Sequence, residues 1–297
     1  MRKLLPLLLA GALVLGACGG DDDDATGEPG TATEPTDQPA ADGPERIVSL
    51  SPTATEMLFA IGAGDQVVAV DDQSDYPEGV PTTDLSGYEP NVEAIAGYDP
   101  DLVVASDAAI EGELETLGIE LLALPAALTL DDTYEQIEQL GAVTGHAEEA
   151  AALVEEMRSE IDEIVAAVPD GEPLTYYHEL DDTYYSVSRN SFIGQIYELA
   201  GLRSIADEAD ADGSGYPQLS AEYIIESDPD LIFLADTECC QQSAETVAAR
   251  PAWDQLTAVR EGRVVELSDD VASRWGPRVV DLLEIIVDAR TEAAAAA

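Results

Sequence analysis

Residues 93–104 read EAIAGYDPDLVV, and residues 222–233 read EYIIESDPDLIF. The register is the same in both: a Glu opens a short helical stretch, and Asp-Pro-Asp then enters an apolar strand. A fainter match sets Val48 and Ser49 against Val187 and Ser188, and Gly62 against Gly201. Matches that recur in the same order predict two lobes of related design.

Outward from these segments the pattern is regular. IVSL at 47–50 reads as a short strand, and Ser51-Pro52 as a helix start, since Ser caps well and Pro suits the first helical position. That helix, over 52–61, stops at Gly62, with Gly64 just beyond and a second strand at 67–70. Strand and helix go on alternating, which predicts an α/β fold with largely parallel sheets. Between the lobes, 146–168 carries apolar residues at Ala150, Leu153, Val154, Met157, Ile161, Ile164, Val165 and Val168. This is one helical stripe on a helix about 34 Å long, stopped by Pro169-Asp170-Gly171. The predicted organisation is an N-lobe over 45–144, a long rigid connecting helix over 145–169, and a C-lobe over 170–297.

The beginning of the chain reads differently. Arg2 and Lys3 precede an apolar run at 4–14 that is too short to span a bilayer. Leu15-Gly16-Ala17-Cys18 then resembles a bacterial lipobox, which makes 1–18 a lipoprotein signal peptide and Cys18 the acylated residue. The expected location is outside the cell membrane, tethered to it by lipid. Residues 19–44 are rich in Gly, Pro, Thr and acid, too polar to fold, and read as a tether. Cys239 and Cys240 are adjacent; the expectation for them is a structural or loop role, with a vicinal disulfide as one form.

Composition excludes some functions. The 297 residues include 62 acidic and 12 basic ones, for a net charge of −50. Nucleic-acid binding is excluded, because phosphate neutralisation needs clustered Lys and Arg. The chain has two histidines, His146 and His178, too few for an ordinary transition-metal site, so no metal site is assigned. No nucleophile elbow, His-Glu-x-x-His or phosphate loop is present, and no enzymatic activity is expected.

Specific motifs carry a family resemblance. SLSPTATE at 49–56, SDYP at 74–77 and NVE at 91–93 resemble the N-lobe of class III periplasmic binding proteins. SFIG at 191–194, YPQLSAE at 216–222 and RWGPR at 274–278 are similar to their C-lobe. The resemblance spans 45 to about 290, with every motif in family order. It implies two Rossmann-like lobes joined by one long helix, with the ligand between them. The implied role is that of a monomeric substrate-binding lipoprotein for an ABC importer, partnered by permease subunits and a cytoplasmic ATPase. Its ligand is a ferric siderophore or related metal chelate, with cobalamin or haem as the alternative; no resident cofactor is implied. Glu93 and Glu222 match the positions that dock on the permease through Arg pockets, one on each lobe.

In α/β sheets a ligand sits outside the carboxyl ends of the strands. The loops there carry Tyr88, Tyr184, Tyr185, Tyr216 and Trp275, although aromatic residues are only 5% of the chain. Flat rings suit a planar chelate. Arg189 and Arg274 are the cationic candidates, because Arg forms planar paired contacts with carboxylates and catecholates. The expected ligand residues are therefore Tyr88, Tyr185, Arg189, Tyr216 and Arg274. By family position Tyr185 and Tyr216 fall where cobalamin binders place ring contacts, whereas Gln73 and Ser106 replace an expected Tyr and Trp. The net charge favours a neutral or cationic chelate over an anionic catecholate.

Overall fold

In the computed structural model, which describes residues 43–295, the two Asp-Pro-Asp segments occupy equivalent places in two parallel sheets. The first sheet contains β1 (Ile47–Ser49), β2 (Val67–Asp71), β3 (Thr82–Leu85), β4 (Leu102–Ala105) and β5 (Glu120–Ala123), in the order β3-β2-β1-β4-β5. Helix α1 (Pro52–Ala60) joins β1 to β2; α2 (Val92–Ala96) and α3 (Glu111–Leu117) lead into β4 and β5. Helices α4 (Leu130–Thr144) and α5 (Ala147–Ala166) follow.

The second sheet contains β6 (Leu174–Glu179), β7 (Leu202–Ser204), β8 (Leu231–Leu234) and β9 (Val264–Glu266), in the order β7-β6-β8-β9. Helix α6 (Phe192–Leu199) joins β6 to β7, and α7 (Ala221–Ser227) enters β8. Helices α8 (Ala244–Ala248) and α9 (Thr257–Arg260) precede β9, and α10 (Asp269–Ser273) and α11 (Val279–Ala295) follow it.

The repeat has a mechanical cause. Asp99 and Asp228 both take left-handed backbone, with φ of 51° and 40°, a region Asp enters more readily than most residues. The third residue of each motif then ties down the neighbouring strand. Asp101 Oδ2 accepts from the amides of Glu45 and Arg46 at 2.9 and 3.0 Å, just before β1. Asp230 Oδ2 accepts from the Thr175 amide and hydroxyl at 2.8 and 2.9 Å, at the start of β6. Gly62 and Gly201 both have positive φ and turn the chain from α1 and α6 towards the next strand. Val187, by contrast, is not the counterpart of Val48. It lies in an inserted ribbon between β6 and α6, where Tyr185 bridges Gln218, and the true counterpart of β1 is β6.

Side-chain alternation assigns the strand faces. Leu102 and Val104 of β4, and Leu231 and Phe233 of β8, enter one large apolar cluster; Val103 enters a second and Ile232 a third. The large cluster is common to both lobes and contains Met57 of α1, Ile137 of α4, Met157 of α5, Ile196 of α6 and Leu283 of α11. Two lobes that share one core have little freedom to separate.

Within 145–169 the chain forms α5, with His146 at its N-cap position and Ala150, Val154, Met157 and Ile161 buried. At 20 residues it is about 30 Å long. From the end of α10 a short segment returns to the N-lobe: the Thr133 hydroxyl donates to the Trp275 carbonyl at 3.0 Å, and Trp275 Nε1 donates to Gln136 at 3.0 Å; α11 then packs on α5, α6 and β8. Cys18 and residues 19–42 lie outside the described residues.

Candidate functional site

The turn after β1 is built by Ser51, whose hydroxyl accepts from the Ala54 amide and caps α1. The same turn forms one wall of a cavity of about 440 Å³. Asp71 at the end of β2 and Gln73 beyond it, Gly87 and Tyr88 after β3, and Ser106 and Asp107 after β4 form further walls. All stand at the carboxyl ends of parallel strands, where this architecture places ligands. Asp270, Ser273, Arg274 and Trp275 close the cavity from the returning segment. Gly87 is required there, because a Cβ would sit 2.9 Å from an Asp71 carboxylate oxygen and against the Leu50 carbonyl.

Arg274 is less available than the sequence implies. It is 9% exposed and its terminal nitrogens are occupied. Nη1 donates to Glu56 at 2.8 Å; Nη2 donates to the Gln73 carbonyl at 3.0 Å and to Asp270 at 2.5 Å; both reach Asp75 at 3.3 Å. Glu56 is also held by Arg278, at 2.9 Å through Nε and 2.5 Å through Nη2. Arg278 in turn covers the Tyr76 ring at 4.2 Å. The cluster is a latch: a buried N-lobe carboxylate gripped by two arginines of the returning segment. Burial pushes the Asp270 carboxyl up to about 6, with Arg274 opposing. Burial also raises Asp71, against the hydrogen bond from Ser74 at 2.5 Å.

Tyr88 is 91% exposed at the cavity mouth. Tyr88 and Arg274 border the cavity; Tyr185, Arg189 and Tyr216 do not. Tyr185 and Tyr216 sit half-exposed on the two arms of the inserted ribbon. Asp210 anchors that ribbon, accepting from Ser188 at 2.6 Å, Asn190 at 2.8 Å and the Gly215 amide at 3.1 Å, and these bonds hold its carboxyl down at about 2. Arg189 points elsewhere. Its Nη2 lies 2.5 Å from Asp207, which raises its pKa, and it borders a separate groove of about 220 Å³ with Arg203 and Tyr223. A still larger groove, about 560 Å³, runs between α4, α5 and α6 and reaches the first residues of α4 and α6.

The carboxyl ends of β6 and β8 are closed by polar pairing. Buried Glu179 receives Arg250 through both terminal nitrogens, at 2.6 and 2.5 Å, and the Tyr177 hydroxyl at 3.1 Å. His178 is fully buried; its Nδ1 lies 2.8 Å from the Tyr197 hydroxyl, and burial lowers its pKa to about 3. Among the described residues no three His, Cys, Asp or Glu side chains come together to hold a metal ion. Cys239 and Cys240 are free thiols with sulfurs 2.6 Å apart, and Asp269 accepts from the Cys239 amide at 2.8 Å.

Glu93 and Glu222 occupy the same helical position. Glu93 follows the Asn91 cap of α2 by two residues, and Glu222 follows the Ser220 cap of α7 by two. Both are exposed, and neither side chain has a hydrogen-bond or ion-pair partner among the described residues. Sequence reasoning missed the latch. Its one signal is an acid inside the otherwise apolar face of α1, where Glu56 lies between Thr55 and Met57.

The chain is 36% identical to a cobalamin-binding protein of Halobacterium salinarum over 251 residues, covering 80% of this chain and 67% of that one. It is 28% identical to an uncharacterized ABC transporter substrate-binding lipoprotein of Bacillus subtilis, covering 95% and 94% of the two chains. The crystal structure of the periplasmic vitamin B12-binding protein of Vibrio cholerae superposes with a TM-score of 0.69 at 25% identity, covering 85% of this chain and 98% of that one. The family model described as periplasmic binding protein matches residues 47–271, and the chain belongs to that family.

Proposed function

We propose that the chain is the extracytoplasmic substrate-binding component of an ABC importer, and that it holds a metal chelate between its lobes. The carrying observation is the cavity at the ends of β1 to β4, closed by Trp275 from the returning segment and fronted by exposed Tyr88. Its position fits a ligand captured between two lobes, and its aromatic walls fit a flat macrocycle. Cobalamin is the first ligand to try, because the relative from Halobacterium salinarum is named for it. A ferric siderophore is the second, as a metal chelate of comparable class. No bond is made or broken; the protein binds, is recognised and releases.

The test is a titration of the full chain with cyanocobalamin, a ferric hydroxamate and haemin, followed by tryptophan emission and checked by equilibrium dialysis. Saturable binding of a chelate at micromolar or lower concentration is expected, weakened by about tenfold in Tyr88→Ala, since an aromatic contact of this kind is worth about a factor of ten. Binding of none of these chelates would refute the reading.

Lipid attachment through Cys18 is part of the same proposal, supported by the lipobox at 15–18. A membrane tether keeps the loaded protein near its permease. Cys18→Ser is expected to move the protein from the membrane fraction into the soluble fraction. Retention of the variant on the membrane would remove the anchor.

A further inference from the structure

Cys239 and Cys240 are neighbours in the chain, and neighbouring side chains of an extended segment point to opposite sides. Here the chain turns at 237–239, and the two thiols converge with their sulfurs 2.6 Å apart. Cys239 is exposed, so a reagent in solvent can reach the pair; Cys240 is half-buried behind it. The turn is held at both ends. Asp269, the first residue of α10, accepts from the Thr237 hydroxyl at 3.2 Å, the Glu238 amide at 3.1 Å and the Cys239 amide at 2.8 Å. The Asp236 carbonyl accepts from the amides of Cys240 and Gln242 at 3.3 and 3.2 Å. Gln241, directly after the pair, takes left-handed backbone with φ of 55°. That region is unfavourable for such a residue, and it persists where the surroundings fix it. The loop thus holds strained backbone in the same place where it holds two thiols side by side.

A catalytic dithiol is a poor reading of this pair. Reactive thiols sit in electropositive surroundings, whereas the charged group bonded to this turn is the Asp269 carboxylate. The Cys239 thiol is pushed up to about 12, first by loss of solvent around the sulfur and then by Cys240 and Asp269. Thiolate is therefore scarce at neutral pH. The geometry favours closure of the pair on itself.

We propose that Cys239 and Cys240 form a redox-modification site, at which a vicinal disulfide closes and reopens and, when closed, stiffens the loop that joins β8 to the start of α10. The oxidant is a low-molecular-weight disulfide, of the class of oxidised glutathione. Cys239 loses its proton and attacks one sulfur of the reagent; the reagent's S–S bond breaks and one thiolate leaves. Cys240 then loses its proton and attacks the Cys239 sulfur; the mixed disulfide breaks and the second thiolate leaves. The two released protons end on the two released thiolates, so the cysteine pair is oxidised by two electrons and the reagent is reduced by two. A thiol reductant runs the exchange backwards. An extracytoplasmic protein meets oxidants of this class. The site is independent of which ligand the protein carries.

The experiment reduces the full chain with dithiothreitol, removes the reductant, and adds oxidised glutathione at mildly alkaline pH. The tryptic peptide 204–260 carries both cysteines and is free of Cys18. Its mass is expected to fall by two hydrogens and to return with fresh dithiothreitol. Amide hydrogens at 238–242 are expected to exchange about tenfold more slowly in the oxidised than in the reduced chain, because the ring fixes the backbone of both cysteines. Cys239→Ser/Cys240→Ser should exchange at one rate under both conditions. Glutathione adducts that persist on the peptide, a disulfide-linked dimer through it, or two thiols still free would overturn the site. A closed ring with loop exchange unchanged would overturn the stiffening.

Discussion

Glu56→Gln is expected to lower the melting temperature of the full chain by about 6–12 °C. The substitution keeps the shape and removes the charge. Two guanidinium groups of the returning segment then lose their shared carboxylate, while the Glu56 side chain is 1% exposed and that of Arg274 is 8% exposed. Breaking a buried pair costs about 3–5 kcal/mol, and Arg278, on the cluster's wetter side, argues for the lower figure. At about 2–4 °C per kcal/mol for a body of this size, the shift follows. Arg158→Ala provides the contrast. Its pair with Asp131 is also 2.9 Å long, but both side chains are more than half exposed, so the ion pair is worth about 0–1 kcal/mol. Thermal melts of the two variants beside wild type check this. Equal, small shifts in both would show that the latch does not hold the returning segment.

The second large effect is on uptake. Glu93→Ala/Glu222→Ala is expected to reduce transport in whole cells by at least about tenfold, while the affinity of the purified protein for its chelate stays within about twofold. Each Glu stands on its own lobe at the second position of a helix, exposed and without a partner of its own. A carboxylate so placed is free to pair with Arg on a permease, and close charge pairs across interfaces couple by about 1.5–7 kcal/mol. Each single variant should retain part of the uptake, because the other lobe still docks. If each Glu serves only its helix N-terminus, the double variant loses a fraction of stability and no transport.

The fold was legible because its cause is local. Asp99 and Asp228 set the turns, and Asp101 and Asp230 fasten the strands beside them, so the same short string recurs in each lobe. The match of Val48 with Val187 misled, because an insertion of about a dozen residues separates β6 from α6; Ser51 and Ser191, the caps of α1 and α6, are the equivalent pair. The site was only half legible. Tyr88 could be placed at a strand end and Arg274 in a loop nearby from the alternation of elements, but the partners of Arg274 could not. Glu56 lies 218 positions away, and no periodicity links an acid in α1 to an arginine after α10. Arg189 shows the same limit from the other side, since its pairing with Asp207 turns it towards a separate groove.

The most direct test is the position of the metal. Crystals of the protein grown with cyanocobalamin give anomalous scattering at the cobalt edge, which locates one atom without reference to the rest of the ligand. The predicted result is a single strong peak at the inter-lobe cavity, between Tyr88 and Trp275. A cobalt peak in the groove between α4, α5 and α6, with the cavity empty, would contradict the assignment of the site.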